Sequence, residues 1–211
     1  MNKRVITIGR EFGSGGREIG VELARRLDIP FYDKELLKLA SEESGLAEVF
    51  LEANEEKTPG LLGSSLSRAA LSAFYQPTLS DTIFLEQSKV IRMLAEKGPC
   101  VIVGRCSDYV LRDQDSADIF VTASMEFRIR RHRDMGREGA DGSDEAIEKY
   151  IREADKQRRK YYEHYTGRNW GRVENYHLCL FTDKVGVQGA VETILTYLTH
   201  WGRHAERKPA K

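Results

Sequence analysis

The sequence predicts an α/β fold with a mainly parallel sheet covered by helices on both faces, and three observations carry that prediction. Short apolar runs at 5–8, 100–103, 118–121 and 176–181 have the length and composition of buried strands. Between them, apolar residues recur at helical spacing. The first run also passes through a glycine-rich turn straight into a helix, as Val5-Ile-Thr-Ile-Gly-Arg-Glu-Phe-Gly-Ser-Gly-Gly-Arg-Glu-Ile-Gly20. Strands alternating with helices imply parallel pairing and right-handed crossovers.

Taken in order, Val5, Ile6 and Ile8 suit a strand covered on both faces. Gly13, Gly15 and Gly16 permit positive φ and close backbone approach. The helix that follows has unpaired N–H groups and the positive end of its dipole at its start, so it offers an anion site, and Arg17 adds a full charge beside it. A tight turn without ligand is the plain alternative. Ile19, Leu23, Ala24 and Leu27 give the helix its apolar stripe, and Pro30 places its end near Asp28. Phe31-Tyr32 reads as a very short strand. Asp33 follows at its C-terminal end, where open parallel sheets place ligands, and it also suits the cap of a helix from Lys34 to Ala40.

From Glu43 to Thr82 the pattern weakens into helical pieces broken by Thr58-Pro59-Gly60 and Ser/Gly turns. Phe84, Val90, Ile91, Leu94 and Ala95 restore an amphipathic helix closed by Gly98-Pro99. Cys100–Val103 forms the second buried strand and delivers Gly104-Arg105 at its tip. A third strand, Asp118–Val121, leads to Ser124 as the cap of a helix in which Arg128 and Arg131 share a face. Ser143 caps a long helix carrying Arg152, Asp155, Arg158 and Arg159 opposite an apolar stripe. Tyr161, Tyr162 and Tyr165 read as packing residues. A last strand spans 176–181, with His177 solvent-facing or at an edge, and Val187 to Leu198 follow the helical template.

Composition narrows the function class. The 211 residues suit one domain with an inserted subdomain; 40% are hydrophobic and 31% charged. Lys plus Arg and Asp plus Glu both number 33, which argues against a nucleic-acid binder that works through overall positive charge. No apolar run reaches the length of a membrane span, and Met1-Asn-Lys-Arg leads directly into a strand without a signal-peptide core, so a cytoplasmic location is expected. Cys100, Cys106 and Cys179 lack zinc or disulfide spacing.

With the glycine loop, Gly104-Arg105 and the late arginine-rich helix in view, the chain resembles the cytidylate kinase-like branch of the P-loop nucleoside monophosphate kinases along nearly its whole length. The resemblance implies a three-layer P-loop NTPase fold in a single domain over 1–211, with 34–82 as a helical monophosphate-binding insert and 132–165 as an arginine-rich lid. It implies ATP and Mg²⁺ as cofactors, small-molecule nucleotides as partners, and phosphoryl transfer to a nucleoside monophosphate, CMP first. Gly13, Ser14, Gly15, Gly16 and Arg17 would hold the donor phosphates; Arg105 the acceptor phosphate; Asp33 or Asp108 the acceptor base or sugar. Arg128, Arg131, Arg152, Asp155 and Arg158 would form the catalytic lid set, neutralising charge on the moving group.

The loop departs from the usual pattern. Gly16 stands where the phosphate-loop lysine is expected and Arg10 where the first glycine is expected. Arg17 is the candidate to supply the missing charge from one residue further on. Arg17 or Glu18 replaces the metal-binding hydroxyl, leaving Ser14 as the candidate ligand for Mg²⁺. The aspartate that follows the Gly-Arg pair in typical cytidylate kinases is Cys106 here, with Asp108 two places later. Two alternatives follow: a kinase of the same fold acting on another small metabolite, and a nucleotide-binding regulatory module without turnover.

Overall fold

The structure, a computed structural model, describes residues 4–33 and 79–201. Five strands form one sheet: β1 (Val5–Arg10), β2 (Phe31–Tyr32), β3 (Val101–Val103), β4 (Ser116–Thr122) and β5 (Leu178–Phe181). Their order is β2-β3-β1-β4-β5 and every pair is parallel. β1 is therefore central, with Ile8 in register with Val103 on one side and Ile119 on the other. The loop after β1 leaves from the middle of the sheet's C-terminal edge, where chains of this topology present ligand sites.

Helices α1 (Gly16–Leu27), α2 (Leu79–Lys97), α3 (Ser107–Val110), α4 (Met125–Asp134), α5 (Asp144–Thr166) and α6 (Gly186–His200) complete the described elements, with a 3₁₀ turn at Val173–Asn175. On one face of the sheet Ile19, Leu23 and Ala24 of α1 and Ala190, Val191 and Ile194 of α6 pack on Ile6, Ile8, Val101, Val103, Ile119 and Val121. On the other, Val90, Ile91 and Leu94 of α2 and Val110 of α3 pack with Leu111 on Val5 and Ile102. These two cores make the three layers. Each fully buried aliphatic side chain contributes roughly 1.5–3 kcal/mol, so the sheet centre is the stiff part of the molecule.

Local signals act where the sequence places them. Asp28 caps α1 in the left-handed region at φ 52°, its N–H donating to Ala24 and Arg25 carbonyls. Ser124 accepts from Phe127 N–H at 3.3 Å and Ser143 from Ala146 N–H at 3.3 Å, each opening a helix. Helices α4 and α5 form a hairpin with its own small core of Ile129, Ile147 and Ile151, against which Phe12 and Met125 pack.

Two boundaries differ from expectation. Residues 79–82, expected in the insert, already belong to α2, and the rest of the insert lies outside the described residues, as do the helix from Lys34 and the tail from Arg203. The final strand begins at Leu178, because the 3₁₀ turn precedes it and Tyr176 turns inward against Phe120, ring centroids 4.9 Å apart.

Candidate functional site: two cavities joined at two arginines

The loop between β1 and α1 takes its shape from glycines. Gly13 and Gly15 sit at φ 79° and 88°, a region that side chains rarely adopt. Gly15 is the N-cap of α1 and no side chain caps the helix, so its first N–H groups and dipole face outward. Ser14 is fully buried, and its hydroxyl donates to the Glu11 carbonyl at 2.9 Å. Thr182 Oγ1 donates to the Ser14 carbonyl at 2.8 Å and ties the loop to the segment after β5.

Arg128 fastens the other side. Its Nε donates to the Phe12 carbonyl at 2.6 Å, one Nη to Glu11 Oε2 at 3.1 Å, and the other Nη to Asp155. Asp155 accepts in turn from Phe12 N–H at 2.7 Å, and Thr122 Oγ1 donates to Glu11 Oε2 at 2.5 Å. The Arg128 side chain is 5% exposed, and each of its three nitrogens donates a hydrogen bond inside the protein. It clamps the loop to the hairpin.

Two cavities open beside this clamp. One, of about 370 Å³, is lined by the loop glycines, Arg17, Glu18, Arg137 and Tyr150. The other, of about 390 Å³, is lined by Gly104, Arg105, Cys106, Asp108, Tyr161, Tyr162, Trp170 and Tyr176. Arg10, Phe12 and Arg158 line both.

Arg10 runs between the two. Its stem lies against Gly16, where an added Cβ would come within 2.6 Å of Arg10 Cβ, and its guanidinium lies against Gly104. Burial, followed by the like charges of Arg158 and Arg105, pushes its pKa down to about 9; Asp33 and Asp155 oppose the shift. It stays charged at neutral pH. Arg158 donates to the Arg10 carbonyl at 3.2 Å and lies 3.8 Å from Asp155; burial lowers its pKa too. The junction thus concentrates positive charge with little carboxylate to balance it.

The floor of the second cavity is polar. Tyr162 donates to Asp108 Oδ2 at 2.7 Å, and burial raises Asp108 to about 6 and pushes the phenol of Tyr162 up as well. Arg105 lies 5.6 Å from the ring of Tyr161, whose own pKa burial raises to about 12. Gly104, Arg105 and Cys106 all have left-handed backbones, at φ 80°, 58° and 55°. Two adjacent non-glycine residues in that region store strain of roughly 1–3 kcal/mol each, a feature concentrated at ligand sites.

The structure brings some sequence-predicted residues together and separates others. Gly13, Gly15, Gly16, Arg105, Asp108 and Arg158 line the cavities. Arg17 turns toward β2, where its Nε donates to Asp33 at 2.8 Å and its side chain is 61% exposed. Arg131 pairs with Glu18 beside Gly15. Arg152 is on the outer face of α5, paired with Glu148 at 2.6 Å and 65% exposed, away from both cavities. Arg10, Arg137, Tyr162 and Tyr176 line the cavities without having been assigned a site role from the sequence. For Arg10 the signal was there: a charged residue and a glycine exchanged across one loop.

Comparison with known proteins agrees with this architecture. A crystal structure of an uncharacterized protein from Eubacterium ventriosum ATCC 27560 is 26% identical, covers 93% of this chain and 99% of its own, and superposes with a TM-score of 0.69. Shikimate kinase from Bacteroides thetaiotaomicron, 16% identical, shares the fold over 93% of this chain and 98% of its own, TM-score 0.54. Shikimate kinase from Acinetobacter baumannii, in complex with shikimate, does so at 15% identity over 99% and 97%, TM-score 0.50. No curated protein matches the chain significantly. Residues 5–184 match the cytidylate kinase-like family, and the chain therefore belongs to that family, with the P-loop kinase fold.

Proposed function

We propose that the protein transfers the γ-phosphoryl group of ATP to a nucleoside monophosphate, CMP first, with the loop cavity holding the donor and the Arg105–Asp108 cavity the acceptor. The single observation that carries this reading is the meeting of the two cavities at the half-buried Arg10 and Arg158. Phosphoryl transfer requires two phosphates held in line while negative charge on the moving group is neutralised, and the protein need supply little else. The start of α1 offers amides to the donor phosphates, Arg105 a planar fork to the acceptor phosphate, and Arg158 a charge between them. Helices α4 and α5, within which the 132–165 lid falls, cover the junction against water, with Arg131 and Arg137 on the loop side.

The site fits a polyphosphate better than a metal. Arg17 occupies the position of the usual metal-binding hydroxyl, and Ser14 Oγ is turned into the loop backbone. Among the described residues no three His, Cys, Asp or Glu side chains cluster as a metal site. Mg²⁺, when bound, would be carried by substrate phosphates and its waters.

The acceptor cavity gives weight to a second reading, a small hydroxylated metabolite as acceptor, because the Asp108–Tyr162 pair suits a hydroxyl as well as a base edge. Incubating folded protein with ATP, Mg²⁺ and each of a panel of nucleoside monophosphates and polyols distinguishes these. ADP release with CMP supports the first reading and release only with a polyol the second. ATP binding without turnover on any acceptor identifies a regulatory module. Among the described residues no helix is long and apolar enough to cross a membrane, and a cytoplasmic setting goes with this proposal.

A further inference from the structure

We propose that Arg10 does the work of the phosphate-loop lysine from the opposite side of the loop, bridging donor and acceptor phosphates, and that Gly16 is small because the Arg10 stem needs its space. The inference rests on the donor reading of the loop given above. In the general pattern G-x-x-x-x-G-K-[ST] a glycine leaves the strand end empty and the charge comes from the helix start. Here both positions are exchanged. A side chain on Gly16 would bring its Cβ 2.6 Å from Arg10 Cβ and 3.0 Å from Cγ, a collision with the fixed base of the side chain that rotation of its tip cannot relieve.

The far end of Arg10 makes the exchange more than a swap of charge. An added Cβ on Gly104 would come 2.2 Å from Arg10 Nη1, so the guanidinium reaches the strained tip of β3 beside Arg105. It lines the donor and the acceptor cavity at once. Among the described residues no carboxylate lies within ion-pair distance of the guanidinium; Arg158 and Arg105 repel it, and Asp33 and Asp155 attract it from further away. A half-buried guanidinium so placed, lining two cavities, suits an anion. A planar fork can engage oxygens of two phosphates together, where a lysine presents a single point charge. Arg17, exposed and held by Asp33, is not placed to do this.

The test uses the full chain with R10A, G16K and the double variant R10G/G16K, which restores the glycine and the lysine of the common loop. Calorimetry reads ATP binding, ADP release reads turnover, and thermal melting checks the fold. R10A is expected to lower turnover about 10²–10³-fold, as loss of one preorganised charge donor does. G16K alone is expected to lose as much through collision, and R10G/G16K to recover to within about tenfold of wild type. That recovery is a result a merely structural Arg10 would not give. If R10A fails to fold, R10M fills the same apolar path without the charge and is expected to show the same loss. Turnover within about threefold of wild type in folded R10A or R10M, or a double variant no better than R10A, overturns the assignment. Wild-type protein that binds no nucleoside triphosphate overturns the donor reading and the assignment together, whereas wild-type binding with R10A unaffected overturns only the assignment.

Discussion

Arg128 and Arg10 flank the same glycine loop, Arg128 buried and Arg10 half-buried, and their surroundings are opposite. Arg128 gives its hydrogen bonds to Phe12, Glu11 and Asp155, and is neutralised by two carboxylates. Arg10 faces Arg105 and Arg158, and Asp33 and Asp155 attract it only from beyond ion-pair distance. A guanidinium held by protein acceptors fastens the loop, and one without them is the candidate to meet a ligand.

Several measurements can break or sharpen that contrast. The largest effect is expected from R128A, which strands Glu11 and Asp155 as partly buried charges; stability should fall by about 2–3 kcal/mol in urea denaturation, activity being lost with the loop's shape. R158A should behave in the opposite way, with unfolding unchanged within about 1 kcal/mol and turnover down about 10²-fold in steady-state assays. Equal stability losses in the two variants would erase the distinction. R105A should raise the acceptor KM roughly 10–100-fold, the worth of one hydrogen bond to a charged group, with little change in the KM for ATP.

A smaller effect concerns pH. Because burial lifts Asp108 to about 6, the native protein holds its proton longer than the unfolded chain does. Between its ordinary value near 4 and about 6 the native state binds more protons, so this residue makes stability fall as pH rises through that window. Asp108→Asn removes that slope. Acceptor KM measured from pH 5 to 7 should also fall as the carboxylate forms, and lose this dependence in the same variant. The smallest effect belongs to Arg152→Ala: an exposed ion pair on the outer face of α5 is worth well under 1 kcal/mol, and turnover should stay within about twofold.

Much of the fold was legible because its signals are local. The runs at Val5 and Cys100, the glycines between β1 and α1, and the serine caps at 124 and 143 act within a few residues of themselves. The short β2 was legible from Phe31-Tyr32 for the same reason. The site was legible as a set of residue types without their directions. Arg17 was the nearest cation to the missing lysine in sequence, but a residue on the first turn of a helix points where the helix phase sends it, here toward Asp33. Arg128 and Arg158 look alike along the chain. Only the partners brought in from residues 11, 12 and 155 separate them, and such pairings depend on how α4 and α5 cross the loop. Tyr162 read as packing because its partner Asp108 lies 54 positions away.

The central claim is that the junction of the two cavities transfers a phosphoryl group between nucleotides. Phosphorus NMR of ATP, Mg²⁺ and CMP incubated with the folded full chain tests it most directly. The account expects the ATP γ signal to decline as the β-phosphate signals of ADP and CDP grow in equal amounts, and to stay constant with R158A on the same timescale. ATP signals that persist unchanged with CMP and with every other acceptor, in the presence of well-folded wild-type protein, would contradict it.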